Sequence, residues 1–249
     1  MRLRTTTLFL LIALLTGCGS SEPARQLREQ KVEVTWLGHQ CFKLVSSLGI
    51  TVVVNPFDPN YLRYPRPKDL EADVLLVTNE NSATNHTDLV TNAPQIFRST
   101  TGIGSNRASG MLIRGVPTFL EPGRELIVGL NTSYSWSMDG VQFCHLGNIR
   151  YPLDRSEVLK LGDIDVLFLP VGAPEELTNA ERKKLIEQLQ PKIIVPMGYR
   201  TRYTTRYAFK SLGSWSTSPY KVRRLDSSTF TVSKATLPLE TTVIIPRIP

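Results

Sequence analysis

Val32, Val34 and Trp36 alternate with polar residues, the period of a half-buried strand, and Gly38 ends the run. Two short apolar runs come next, Cys41 to Val45 and Ile50 to Val54, with Ser46, Ser47 and Gly49 turning the chain between them. A hairpin meander is the expected result. Asn55-Pro56-Phe57-Asp58-Pro59 stops it, because proline has no N–H to give to a ladder. Val74 to Val77 is apolar throughout, the pattern of a strand covered on both faces. The middle third is less regular. Thr100 to Gly110, rich in Gly, Ser and Thr, reads as a loop, and Pro117 and Pro122 punctuate the residues beyond it. Glu125 to Val128, Thr132 to Met138 and Val141 to Leu146 read as strands, the last two joined by the hairpin dipeptide Asp139-Gly140.

The last third changes character. Ser156 to Leu161 reads as a short helix capped by its own serine, and Val166 to Leu169 as a buried strand. Thr178 to Leu189 is the clearest helix: Thr178 can cap it, Glu181 stands three residues on, and Leu185, Ile186 and Leu189 share a face. Pro191 stops it, and Ile193 to Val195 is another buried strand. A meander leading into strand-helix-strand order suits two sheets flanked by helices, one domain over residues 31–249.

The first residues stand apart. Arg2 and Arg4 precede an apolar run, Leu8 to Leu15, too short for a membrane-spanning helix, and Leu15-Thr16-Gly17-Cys18 closes it. This resembles a bacterial lipobox. It implies a signal peptide over residues 1–17, a lipidated Cys18 anchored by acyl chains, and a polar tether over residues 18–30. The expected location is the cell envelope, with the periplasmic face of the outer membrane favoured, and the expected partner is the membrane through that anchor. Loss of Arg2 and Arg4 lowers the formal charge from +7 to +5 (7 minus 2). No stacked-aromatic or Arg-rich recognition element points to nucleic acid. Cys41 and Cys144 can pair in an oxidising envelope or stay as two thiols; their apolar surroundings favour thiols.

Several segments carry a family resemblance, in order and at family spacing. Thr35-Trp36-Leu37-Gly38-His39 is similar to a first strand with its G-H turn, and Asn55-Pro56-Phe57 to D-P-F. Val77 to His86 resembles the metal loop T-H-x-H-x-D-H, and Phe143-Cys144-His145-Leu146-Gly147-Asn148 an H-L-G-D strand. Asp163 to Gly172 and Pro196-Met197-Gly198-Tyr199 resemble D-x-D-V-L-x-L-P-V-G and P-M-H-Y. Together they resemble the metallo-β-lactamase superfamily, nearest its sugar-lactone and phosphodiester hydrolases. The resemblance implies an α/β (α+β) fold, a four-layer αββα sandwich, and hydrolysis by a pair of metal ions.

The seven metal-ligand positions then fall on Asn79, Asn81, Ala83, Thr84, His145, Asn148 and Gly198, and only His145 is a ligand type the family uses. Zinc prefers imidazole and carboxylate, and a neutral amide oxygen is a poor substitute. No cofactor is therefore expected, and no catalytic residue is assigned. The leading expectation is a catalytically silent lipoprotein that binds an unknown small ligand in the old cleft. The alternative is a metal-dependent lactone or phosphoester hydrolase whose zinc or manganese sits at a relocated site of His145, His86 and Glu80. A third is a structural partner of an envelope protein. Tyr199, Arg200 and Arg202 begin a tyrosine–arginine stretch bordering that cleft and join His39 and His86 as candidate ligand contacts. The other role for His39 is structural, hydrogen-bonded within its turn.

Overall fold

The computed structural model describes residues 29–92, 94–119, 130–173 and 177–249. The leader, Cys18, most of the tether, Pro122 and the expected strand Glu125 to Val128 lie outside them. Among the described residues no helix is long and apolar enough to cross a membrane.

Two sheets carry the fold. The meander appears where its periodicity placed it, as β1 (Val32–Gly38), β2 (Cys41–Val45) and β3 (Thr51–Val54). Parallel strands β4 (Val74–Leu76) and β5 (Gln95–Phe97) extend that sheet on one side, and β13 (Thr229–Val232) pairs antiparallel with β1 on the other. The second sheet begins with the antiparallel run β6 (Gly104–Ala108), β7 (Met111–Phe119), β8 (Leu130–Met138) and β9 (Val141–His145). It continues in parallel through β10 (Val166–Pro170), β11 (Ile193–Met197), β14 (Thr242–Ile245) and β12 (Lys221–Arg224).

Side-chain alternation explains how the sheets stack. In β3 and β4, Val52, Val54, Val74 and Leu76 join the large core shared with the second sheet, while Val53 and Leu75 join a smaller core on the far side. The outer face of the second sheet carries α2 (Arg155–Leu161) and α3 (Asn179–Leu189). Its counterpart on the first sheet is thin, formed by loops and the single-turn helix α1 (Pro59–Leu62). The result is the expected αββα sandwich.

Three local expectations are corrected. The loop expected over Thr100 to Gly110 contains β6, because Ser109-Gly110 (φ +47° and +76°) makes the same tight turn as Asp139-Gly140 (φ +47° and +76°). Pro117 lies inside β7 rather than ending a segment; beyond Gly115 that strand has β8 as its only partner among the described residues, an edge position that tolerates proline. The cap of α2 is Asp154, one residue before the helix, in a capping box with Glu157; Ser156 is already helical. Helix α3 starts as expected, with Thr178 and Glu181 satisfying each other's backbone N–H.

Candidate functional site

The expected ligand positions converge where strands of both sheets end. The turn after β1 brings His39 and Gln40, the stretch after β4 brings Asn79 to Thr84, the end of β9 brings His145 and Asn148, and the end of β11 brings Gly198. A cavity of about 250 Å³ opens there. It is lined by His39, Gln40, Asn81, Ala83 and Asn148 from the strand ends and by Tyr61, Arg150, Ala173, Tyr207, Ala208 and Phe209.

Beneath the cavity runs a continuous chain of neutral hydrogen bonds. Gln40 Nε2 donates to Asn148 Oδ1, and Asn55 Nδ2 donates to Gln40 Oε1 at 3.1 Å and Thr78 Oγ1 at 2.8 Å. The Thr78 amide donates to Asn55 Oδ1 at 2.9 Å, Asn79 Nδ2 donates to Thr78 Oγ1 at 3.0 Å, and Thr84 Oγ1 donates to Asn79 Oδ1 at 2.7 Å. Asn131, on β8, fixes the other end by accepting from the Asn148 amide at 2.8 Å and donating to Leu146 O at 2.8 Å. No member carries a charge, so the network needs no counter-ion in a buried place. Gly147 (φ +63°) lets the backbone pass, since a Cβ there would lie 2.2 Å from Asn131 Oδ1 and 2.6 Å from Thr78 Oγ1.

His145 is fully buried and fully engaged. Its Nε2 lies 3.0 Å from Gln40 O, and its Nδ1 accepts from the Gly147 amide at 3.2 Å, which places the ring proton on Nε2. Burial pushes its pKa down to about 4, against the pull of the Gln40 carbonyl. His39 is buried too, and burial with the nearby His145 lowers its pKa to about 3. Its backbone does the expected structural work: its carbonyl accepts from Trp36 Nε1 at 3.1 Å and from the Gly198 amide at 3.1 Å. The ring does not. Nδ1 has no hydrogen-bond partner, and the ring packs on Phe209 with centroids 5.0 Å apart.

Other expected contacts are placed elsewhere. Glu80 points to Arg98, 2.7 Å away, and accepts from Ser99, while the half-buried His86 precedes the turn Thr87–Leu89. The relocated site of His145, His86 and Glu80 is therefore not assembled. Tyr199 is buried against Trp36 (centroids 5.5 Å), and Arg202 bonds Tyr203 Oη and Pro249 O. Neither they nor the exposed Arg200 lines the cavity. Sequence reasoning missed Gln40, Tyr61, Arg150, Tyr207 and Phe209. Tyr207 ends the tyrosine–arginine stretch that begins at Tyr199, and Phe209 lies two residues beyond it. Cys41 and Cys144 are free, buried thiols whose pKa values burial raises.

The sequence profile of the Beta-lactamase superfamily domain matches residues 33–198, the span holding all seven positions. The chain belongs to this superfamily, in its metallo-β-lactamase branch. A UPF0173 metal-dependent hydrolase of Archaeoglobus fulgidus is 28% identical over 201 residues, covering 68% of this chain and 84% of that protein. One from Thermococcus onnurineus is 29% identical over 198 residues, covering 68% and 85%. Among solved structures, a candidate zinc-dependent hydrolase of the metallo-β-lactamase superfamily from Thermotoga maritima superposes with a TM-score of 0.67 at 28% identity, covering 86% of this chain and 97% of that one.

These relatives correct one expectation. Proteins this similar are named metal-dependent, so a metal cofactor, and not its absence, is what the family brings to the cleft. The residues of this chain do not fit the family's pair of ions. Among the described residues no three His, Cys, Asp or Glu side chains come together, and both nitrogens of His145 are already bonded.

Proposed function

We propose that the superfamily cleft of this chain binds a small polar molecule, recognised by amide and hydroxyl groups at the former ligand positions. The amide–hydroxyl chain from Asn148 through Gln40, Asn55 and Thr78 to Asn79 and Thr84 carries this reading. Such a chain is a preorganised hydrogen-bonding floor, while Tyr61, Tyr207 and Phe209 supply apolar faces at the opening. The volume lies just under the roughly 300–1,000 Å³ of drug-sized sites, so the ligand is metabolite-sized. Thermal shift of the full chain against a panel of small sugars, lactones and phosphoesters tests it. A hit should bind at least tenfold more weakly to Gln40→Ala; a panel without any response sinks the reading.

The relatives' names favour a second reading, metal-dependent hydrolysis of a lactone or phosphoester in the same cleft. Zinc or manganese held near one per chain after dialysis, with turnover that a chelator abolishes, would decide for it. The lipid anchor on Cys18 and the envelope location remain part of the proposal, checked by radiolabelled palmitate incorporation that Cys18→Ser removes.

A further inference from the structure

Two loops frame the mouth of the cleft, residues 59–68 and residues 199–210, and they are locked together. Arg206 Nη2 donates to Tyr61 O at 2.6 Å, and Thr201 Oγ1 donates to Tyr64 Oη at 2.9 Å. The Tyr61 and Tyr207 rings meet at 5.0 Å, as do those of Tyr64 and Tyr203. The first loop carries Arg63, Arg66 and Lys68, the second Arg200, Arg202, Arg206 and Lys210, and neither contains an Asp or Glu. All seven residues are exposed. Asp58 and Asp69 flank the first loop, Asp58 capping α1 through the Asn60 amide at 2.8 Å, so seven cationic side chains face two carboxylates at the loop's ends. Helix α3 shows the contrast, for there Glu181 and Glu187 alternate with Arg182, Lys183 and Lys184.

We infer that the ligand of this cleft carries an oxyanion, a carboxylate or a phosphate, steered in by the cationic mouth and received on the neutral floor. The inference rests on the cleft being the binding site. Like charges gathered around a concave opening sum to a field that raises the arrival rate of an anion about 10- to 1,000-fold, and salt weakens that field. Inside, the described walls present Arg150 and no carboxylate. Nothing in them repels an anion.

The test is a panel of sugar phosphates and sugar acids, each paired with its neutral parent, such as glucose 6-phosphate and gluconate against glucose. Thermal shift of the full chain is followed by calorimetry and stopped-flow association. At a hundredfold excess over Kd, a charged member should raise Tm by about 5 °C and its neutral parent by far less. Whether phosphates or carboxylates respond identifies which anion the cleft takes. Association should slow at least tenfold in Arg66→Glu/Lys68→Glu/Arg200→Glu and as salt rises. Neutral parents binding as tightly as their charged partners would overturn the inference and leave the cleft as a binding site. Anion binding untouched by salt and by the triple variant would also overturn it. Silence across charged and neutral members alike would overturn both.

Discussion

The floor and the mouth of the cleft are built on opposite principles. The floor is neutral, and its deeper part is buried and closed on itself: Asn55 and Thr78 are fully buried, and their donors find acceptors within the chain, while Gln40 and Asn148 line the cavity. The mouth is exposed, cationic and aromatic, with arginines spent on backbone carbonyls and neighbouring rings, as in Arg206 on Tyr61 O and over the Tyr207 ring at 5.1 Å. Buried polar groups are expensive when unpaired, and the amides and hydroxyls of this floor avoid that cost by satisfying one another. Exposed charges cost little and tolerate loose geometry, so the mouth can concentrate one sign. Substitutions in the buried part of the floor should therefore act first on stability, and those at the mouth on binding.

The largest effect is expected where a charge is returned to the floor. In Asn55→Asp the second carboxylate oxygen replaces an amide that donates to Gln40 Oε1 and Thr78 Oγ1, and it meets the Gln40 lone pairs instead. An unpaired buried charge costs about 3–5 kcal/mol. Burial raises the folded pKa of such a carboxyl above its unfolded value near 3.9. The penalty relative to wild type is thus full at neutral pH and shrinks as pH falls through the folded pKa. Urea unfolding at several pH values measures it; a pH-independent difference would break the account. Next comes Gly147→Ala, which drives a Cβ into Asn131 Oδ1 and Thr78 Oγ1 at a positive φ. About 3 kcal/mol of destabilisation is expected, and a loss under about 1 kcal/mol would show that the floor is looser than its distances imply.

How much of this was legible beforehand differs between the two regions for the same physical reason. The strands that deliver the floor are marked by period, as in Val32, Val34 and Trp36 or the unbroken run of β4, and residues at their ends are reached by short extrapolation. That amides and small residues stand at the expected ligand positions was readable one position at a time. What could not be read was that Gln40 and Asn55 would link the replacements, because they meet from 15 residues apart. The mouth was half visible. The Tyr–Arg interleaving after Gly198 stood out, yet its partner loop with Arg63, Arg66 and Lys68 has no periodicity to announce where it packs. Strand β6 was lost to a local misjudgement: Ser109-Gly110 turns the chain as Asp139-Gly140 does, but alternation beside it is weak, since β6 is exposed at most positions.

Acid should expose the two histidines. Both fold neutral, with pKa values lowered to about 3 for His39 and about 4 for His145, against about 6.5 when unfolded. The unfolded chain takes up protons first as pH drops below about 6.5, so stability held above that value is lost between there and the folded pKa values. Each histidine contributes a slope approaching about 1.4 kcal/mol per pH unit in that window. His145→Gln, which keeps a donor for Gln40 O, should remove about half the slope. An unchanged slope would mean that other groups govern the acid limb.

The mouth should respond least in stability. Arg206→Ala removes hydrogen bonds to Tyr61 O, Asn60 O and Tyr207 Oη and a cation–π contact with Tyr207, all at an exposed site, so the loss is about 1 kcal/mol or less. The same change removes one of the ties between the loop of residues 199–210 and α1, leaving the Tyr207 Oη bond to Tyr61 O and the ring contact in place, and Tyr61 and Tyr207 both face the cavity. Affinity for an anionic ligand should therefore fall more than stability does, by an amount that Arg206→Lys restores only partly, since a lysine keeps the charge but not the planar reach to carbonyl and ring together. Parallel calorimetry and urea unfolding of the two variants separate the terms. Equal losses in stability and affinity would mean that the mouth is framework after all, no different in kind from the floor beneath it.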